Sequence, residues 1–177
     1  MSHYIPIGYH IQTTKTSFSI RNSDLPRFFD LVGNLMSDKN IKENGNGGKR
    51  IGMRSNGKQS SWWYLWVNTE DVRKAVADRD IIRVFECWGY DLAILREEDG
   101  ITHYYLAMSA ASDAKMGDEE KFFAAIAPVV VHGCFVDVRG EDGEEWRWMW
   151  ENGKFYFQDA IRPEVQYDEP NEISYDP

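Results

Sequence analysis

The stretch CFVDVRGEDGEEWRWMWENGKFYFQ, residues 134–158, decides the fold. Its apolar and aromatic residues recur every second position, the period of a β-strand with one face buried. Two turn signals interrupt it, Glu141-Asp142-Gly143 and Glu151-Asn152-Gly153. Asp-Gly and Asn-Gly suit tight hairpins because both residues tolerate a positive φ. The segment therefore predicts three strands, Cys134 to Arg139, Glu144 to Trp150 and Lys154 to Gln158, folded as an antiparallel meander. Trp146, Trp148 and Trp150 alternate with Glu145, Arg147 and Met149, so all three indoles leave one face. That face expects a cover of helices. Left open, it would be a stacking platform for bases or sugar rings.

Working outward, Glu119, Glu120, Phe122, Phe123 and Ile126 predict a helix from Asp118 that stops at Pro128, which lacks a backbone donor. Upstream, Tyr90 to Arg96 and Ile101 to Met108 flank Glu97-Glu98-Asp99-Gly100, a second hairpin. Asn68-Thr69-Glu70-Asp71 opens a helix whose stripe Val72, Ala75, Val76, Ile82 and Phe85 runs to Gly89. Another, capped by Ser23 or Asp24 with Pro26 in its first turn, carries Leu25, Phe28, Phe29, Val32 and Leu35 and ends near Met36. Tyr4 to Gln12 and Ser17 to Ile20 predict two opening strands around a Thr-Thr-Lys-Thr link, and Trp62 to Val67 predicts another strand.

Helices and hairpins are mixed without the regular alternation of parallel sheets. The expected class is α+β, an antiparallel sheet with about three helices packed on it and a three-stranded meander at the end. One domain is expected over residues 1–160, interrupted by a Gly/Asn-rich basic loop at 37–60 and followed by an extended acidic tail at 161–177. A chain of 177 residues buries one good core.

The net charge of −9 is uneven: residues 1–60 carry +5 and the remainder −14, with −8 over 141–177 alone. Duplex binding favours the reverse balance, because affinity comes largely from neutralised phosphates. No run of about 18 apolar residues suggests a membrane span, and Met1 to Ile20 lacks the pattern of a secretory signal. The expected location is the cytoplasm, where Cys87 and Cys134 stay as buried thiols.

Sites of chemistry are sparse. His3, His10, His103 and His132 form no HxH or HExxH, and no serine sits in a GxSxG elbow. The 44–57 glycines fit neither phosphate-binding pattern. Glu141 and Asp142 with Glu144 and Glu145 offer clustered carboxylates without the ligand spacing of a calcium loop. No catalytic residue, cofactor or metal is assigned. Partner contacts are expected at Trp62, Trp63, Glu141, Asp142, Glu144, Glu145, Asp168 and Glu169, and contacts to phosphate or an acidic partner at Lys49, Arg50, Arg54 and Lys58.

Glu120, Phe123, Ile126, Ala127, Pro128 and Val130 lead through Gly133 to Gly140-Glu141-Asp142-Gly143, then Trp146-Arg147, Trp150 and Gly153. This run resembles a family of small uncharacterised bacteriophage and mobile-element proteins, in which an Ile-Ala-Pro helix precedes a Gly-Glu-Asp-Gly turn and a Trp-Arg strand. It covers about a fifth of the chain, with weaker similarity at Trp88-Gly89-Tyr90; Trp150 stands where relatives more often carry Phe. The resemblance implies a mobile-element origin and an α+β fold, and it brings no activity.

Three functions are consistent with these residues. The first is a non-catalytic interaction protein that binds and modulates, or inhibits, a host protein such as a defence or nucleic-acid enzyme, with mimicry of DNA by the acidic surface as one form. The second is a small enzyme or ligand-binding protein for a nucleotide or sugar, using the Trp-rich sheet with Glu141 and Asp142. The third is nucleic-acid binding through the basic loop.

Overall fold

The computed structural model describes residues 11–38, 49–53, 59–63, 69–109, 119–161 and 166–170. Its centre is a six-stranded, wholly antiparallel sheet of β1 (Ile11–Arg21), β4 (Tyr90–Glu98), β5 (Ile101–Met108), β6 (Phe135–Gly140), β7 (Glu145–Glu151) and β8 (Lys154–Asp159). The strands lie in the order β4-β5-β1-β6-β7-β8. A separate two-stranded ladder joins β2 (Lys49–Met53) to β3 (Gln59–Trp63). The helices among the described residues are α1 (Leu25–Leu35), α2 (Thr69–Ala77), α3 (Ile81–Cys87) and α4 (Glu119–Ala125). The fold is α+β as expected, with four helices among the described residues where about three were anticipated.

The meander forms as its turns dictate. Asn152 and Gly153 take φ of 50° and 77°, and Asp99 and Gly100 take 52° and 74°. Positive φ at both central positions is the turn whose twist matches a two-residue hairpin. A Cβ on Gly153 would lie 3.7 Å from the Pro128 Cα, so this turn also packs under the end of the α4 segment.

Three expectations need correction. The opening is not two strands around a link: β1 runs unbroken through Thr13-Thr14-Lys15-Thr16, with a register shift between Thr13 and Lys15. At that bulge the threonines replace ladder bonds, the Thr16 hydroxyl donating to the Leu106 carbonyl at 2.6 Å and Thr13 Oγ1 accepting from the Met108 amide at 3.1 Å. Residues 4–10 lie outside the described set. The helix read from Thr69 to Gly89 is two, broken where Arg79 takes a φ of 54°. Asp80 restarts it, its carboxylate accepting from the Arg83 amide at 3.1 Å. Finally, part of the 37–60 loop is strand β2, paired with a β3 that begins three residues before Trp62.

The core lies between the sheet and the helices. Phe28, Phe29 and Val32 of α1, Val72 and Ala75 of α2, Val84 and Phe85 of α3 and Phe122 and Phe123 of α4 are buried against Phe18, Ile20, Leu106, Val136 and the three tryptophans of β7. Ring contacts knit these layers: Phe123 meets Trp148 and Trp150, while Phe85 bridges Phe18, Phe28 and Phe122.

Candidate functional site

The same alternation that buries one side of the sheet builds the other. Pairing of β1, β6, β7 and β8 sets Lys15, Asp137, Arg147 and Gln158 in one row across the strands, and Ser17, Phe135, Met149 and Tyr156 in the next. No described helix lies over these rows, and Tyr156 is exposed. Arg147 is their hub. Its Nε and Nη2 donate to the two carboxylate oxygens of Asp137 at 2.6 and 2.9 Å, and its guanidinium carbon lies 4.0 Å from the Phe135 ring centre. This fork-to-carboxylate pair stacked on an aromatic face holds the guanidinium in one orientation. Bonding to Asp137 also raises the Arg147 pKa further above its ordinary value. Lys15 Nζ approaches the Phe135 ring at 5.9 Å, and Arg139 Nη2 pairs with Glu145 Oε1 at 2.7 Å in the row beyond.

An open cleft of about 480 Å³ runs along these rows, lined by Thr14, Asp137, Glu145, Arg147, Gln158 and Ile161 among others. A second hollow of about 320 Å³ shares Glu145, Asp159 and Ala160 with it and extends to Asp142, Gly143 and Glu144. Together they form one groove, weighted to carboxylates, at the β6–β7 turn.

The expected site residues are gathered in part. Asp142, Glu144 and Glu145 share the groove, whereas Glu141 is exposed on the turn outside its lining. Asp168 and Glu169 lie exposed in a segment without helix or strand and line neither hollow. In the β2–β3 ladder Arg50 pairs with Trp62 and Lys49 with Trp63; Arg54 and Lys58 fall outside the described residues.

The Trp-rich face is covered by helices, as expected, and is not the open stacking platform of the alternative reading. Trp146, Trp148 and Trp150 are 5, 0 and 0% exposed beneath the helices, and Trp150 Nε1 donates to the Phe123 carbonyl at 2.9 Å. The phenylalanine stripes of α1 and α4 supply enough apolar surface to close that face, so no base or sugar stacks there. Cys134 is buried as expected, but Cys87 is only half-buried; burial raises both thiols' pKa, which keeps them protonated. Among the described residues no group of three or more His, Cys, Asp or Glu is placed to hold a metal ion, and no helix is long and apolar enough to cross a membrane.

Asp137, Arg147, Phe135 and Tyr156 were not among the expected site residues. A signal existed: Asp137 and Arg147 are opposite charges placed symmetrically about the Gly140–Glu144 turn, so any hairpin there sets them side by side. A scan of protein-family models, a search of curated proteins and a search of solved structures each found no match to this chain.

Proposed function

We propose that this chain is a non-catalytic interaction protein of bacteriophage or mobile-element origin that binds and modulates a host protein, such as a defence or nucleic-acid enzyme, through the open side of its sheet. The supporting observation is the Asp137–Arg147–Phe135 cluster, with Tyr156 beside it, on a sheet side that no described helix covers. Arginine and tyrosine fixed on a rigid element are the side chains that most often anchor protein interfaces, because little rotamer freedom remains to be lost on binding. The carboxylate-weighted groove beside them favours a partner segment rich in Lys or Arg. A defence or nucleic-acid enzyme presents such basic surface where it holds phosphates.

The test is capture from nuclease-treated bacterial lysate with the wild-type chain, Tyr156→Asp and Arg147→Glu side by side. One host protein held at constant ratio by the wild type, and reduced at least about tenfold by either variant, is the expected result. Retention that both variants leave unchanged, or no retained protein, would overturn the reading.

A second reading, nucleic-acid binding through Lys49, Arg50, Arg54 and Lys58, is favoured by the register that sets Arg50 opposite Trp62 and Lys49 opposite Trp63. Basic residues interleaved with aromatics suit single strands. It requires a low-salt gel shift that weakens steeply as salt rises; silence at low salt removes it.

A further inference from the structure

Among the described residues the sheet ends at β4 on one side and β8 on the other, and the outer edge of β4 is complementary to itself. We propose that β4 pairs antiparallel with β4 of a second copy of this chain about a two-fold axis at Ala93, joining two six-stranded sheets edge to edge. This goes beyond the host-protein reading and does not depend on it.

The edge is charged towards its ends and apolar in its middle. Strands that end a sheet are normally blunted by charge along their length. Here charge is confined to Asp91 and to Arg96, Glu97 and Glu98, while the middle of the strand leaves Ile94 57% and Leu95 61% exposed, with Tyr105 of β5 52% exposed beside it. Apolar side chains left open on an edge strand mark a contact surface.

Register then selects the partner. Residues directly opposite in an antiparallel pair share a face, so only registers that match inward with inward residues are allowed. Tyr90 and Leu92 face the core; Asp91 and Ala93 face away. The bulge between Ile94 and Arg96 takes Leu95 out of step, and Arg96 pairs with the half-buried His103, on the side opposite the core-facing Thr102 and Tyr104. Centred on Ala93, the two-fold sets Leu92 opposite Ile94 of the second copy and Asp91 opposite Arg96, twice over by symmetry. Moving the centre to Ile94 sets Asp91 against Glu98, a like-charge pair. Moving it to Leu92 leaves Arg96 with no counterpart. One register of the three therefore satisfies both the apolar and the charged residues.

The other edge fails the same test. In β8 the opposite charges are Lys154 and Asp159, an odd number of residues apart, so they face opposite sides of the sheet and cannot pair reciprocally. Arg96 already meets Glu98 of its own strand at 3.4 Å, but both side chains are more than half exposed and that contact is weak enough to exchange.

The experiment is sedimentation equilibrium of the full chain with charge reversal at two exposed positions. The wild type is expected to dimerise with a Kd in about the micromolar range. Asp91→Arg and Arg96→Asp should each weaken the dimer by about tenfold or more, and the double variant should restore it, with circular dichroism unchanged throughout. Oxidised Ala93→Cys should run as a disulfide-linked dimer that the wild type, with only Cys87 and Cys134, does not form. A wild type that stays monomeric up to about 100 μM, single reversals without effect, or a double variant that fails to recover each overturns the proposal.

Discussion

Strand β7 carries two surfaces of opposite kind on alternate residues. Trp146, Trp148 and Trp150 enter a closed aromatic layer, whereas Glu145, Arg147 and Met149, one residue along each time, stay half-exposed on the other side. The closed surface is held by burial and ring contacts; the open one is held by a guanidinium locked between a carboxylate and a ring. Substitution is therefore costly on one side of the strand and tolerated on the other. Inner residues fix stability, and outer residues are free to specify a partner at small cost to the fold.

The strongest challenge to that division is truncation on each side. Trp150→Ala removes contacts to Phe18, Phe123 and Phe155 and the bond to the Phe123 carbonyl. It should cost about 3–5 kcal/mol, read from the denaturant midpoint. Met149→Ala, its neighbour on the open side, should cost about 1 kcal/mol or less. Comparable losses for the two would erase the distinction between the surfaces.

A finer comparison lies within the inner surface. Trp148 and Trp150 are both fully buried, yet the Trp148 Nε1 meets no acceptor whereas the Trp150 Nε1 does. Replacing each by Phe removes similar volume but different hydrogen bonding. Trp150→Phe also leaves the Phe123 carbonyl unsatisfied, so it should cost about 1–3 kcal/mol more than Trp148→Phe. Equal costs would mean that the bond from Trp150 adds nothing net.

This asymmetry also marks how far the sequence could be read. Period-two patterning and the Asp-Gly and Asn-Gly turns place β4 to β8 within about a residue or two, because local chemistry alone sets hairpin register. The break at Arg79 was hidden: Val72 to Phe85 keeps helical spacing across it, and only Asp80 as a cap hints at a restart. The β1 bulge was hidden too, since Thr13 and Thr16 are stabilised there by main-chain groups of β5 some ninety residues away. At the site, the acids of the 141–145 turn were visible as a cluster, but their neighbours Asp137 and Arg147 acquire meaning only once strands are paired. The tryptophans dominate the β7 sequence, whereas the residues between them face outward and gain a role only from their cross-strand neighbours.

On the open side, Asp137→Asn tests the hub. The Arg147–Asp137 side chains are 39% and 24% exposed, so solvent screens the pair and its loss should cost only about 1 kcal/mol. The cost should shrink at high salt. Loss of several kcal/mol, independent of salt, would show that Arg147 supports the core rather than a surface.

The smallest effect at neutral pH belongs to Tyr90 at the covered end of β4. Its hydroxyl is buried and accepts or donates no hydrogen bond, so Tyr90→Phe should leave stability unchanged or raise it by up to about 1 kcal/mol. The alkaline range amplifies the difference. Burial, with Glu119 and Glu120 nearby, raises the Tyr90 pKa well above its ordinary 10.0. Below pH 10 the phenol is protonated in both states and contributes no slope. As pH climbs above 10 the unfolded chain loses this proton and the folded chain keeps it, so wild-type stability falls by up to about 1.4 kcal/mol per pH unit from this group. Tyr104, Cys87 and Cys134 shift in the same direction and remain in the variant, which therefore still weakens in alkali, but less steeply. Parallel alkaline denaturation curves for the two proteins would show that Tyr90 ionises as readily folded as unfolded, and that the inner surface at β4 admits water.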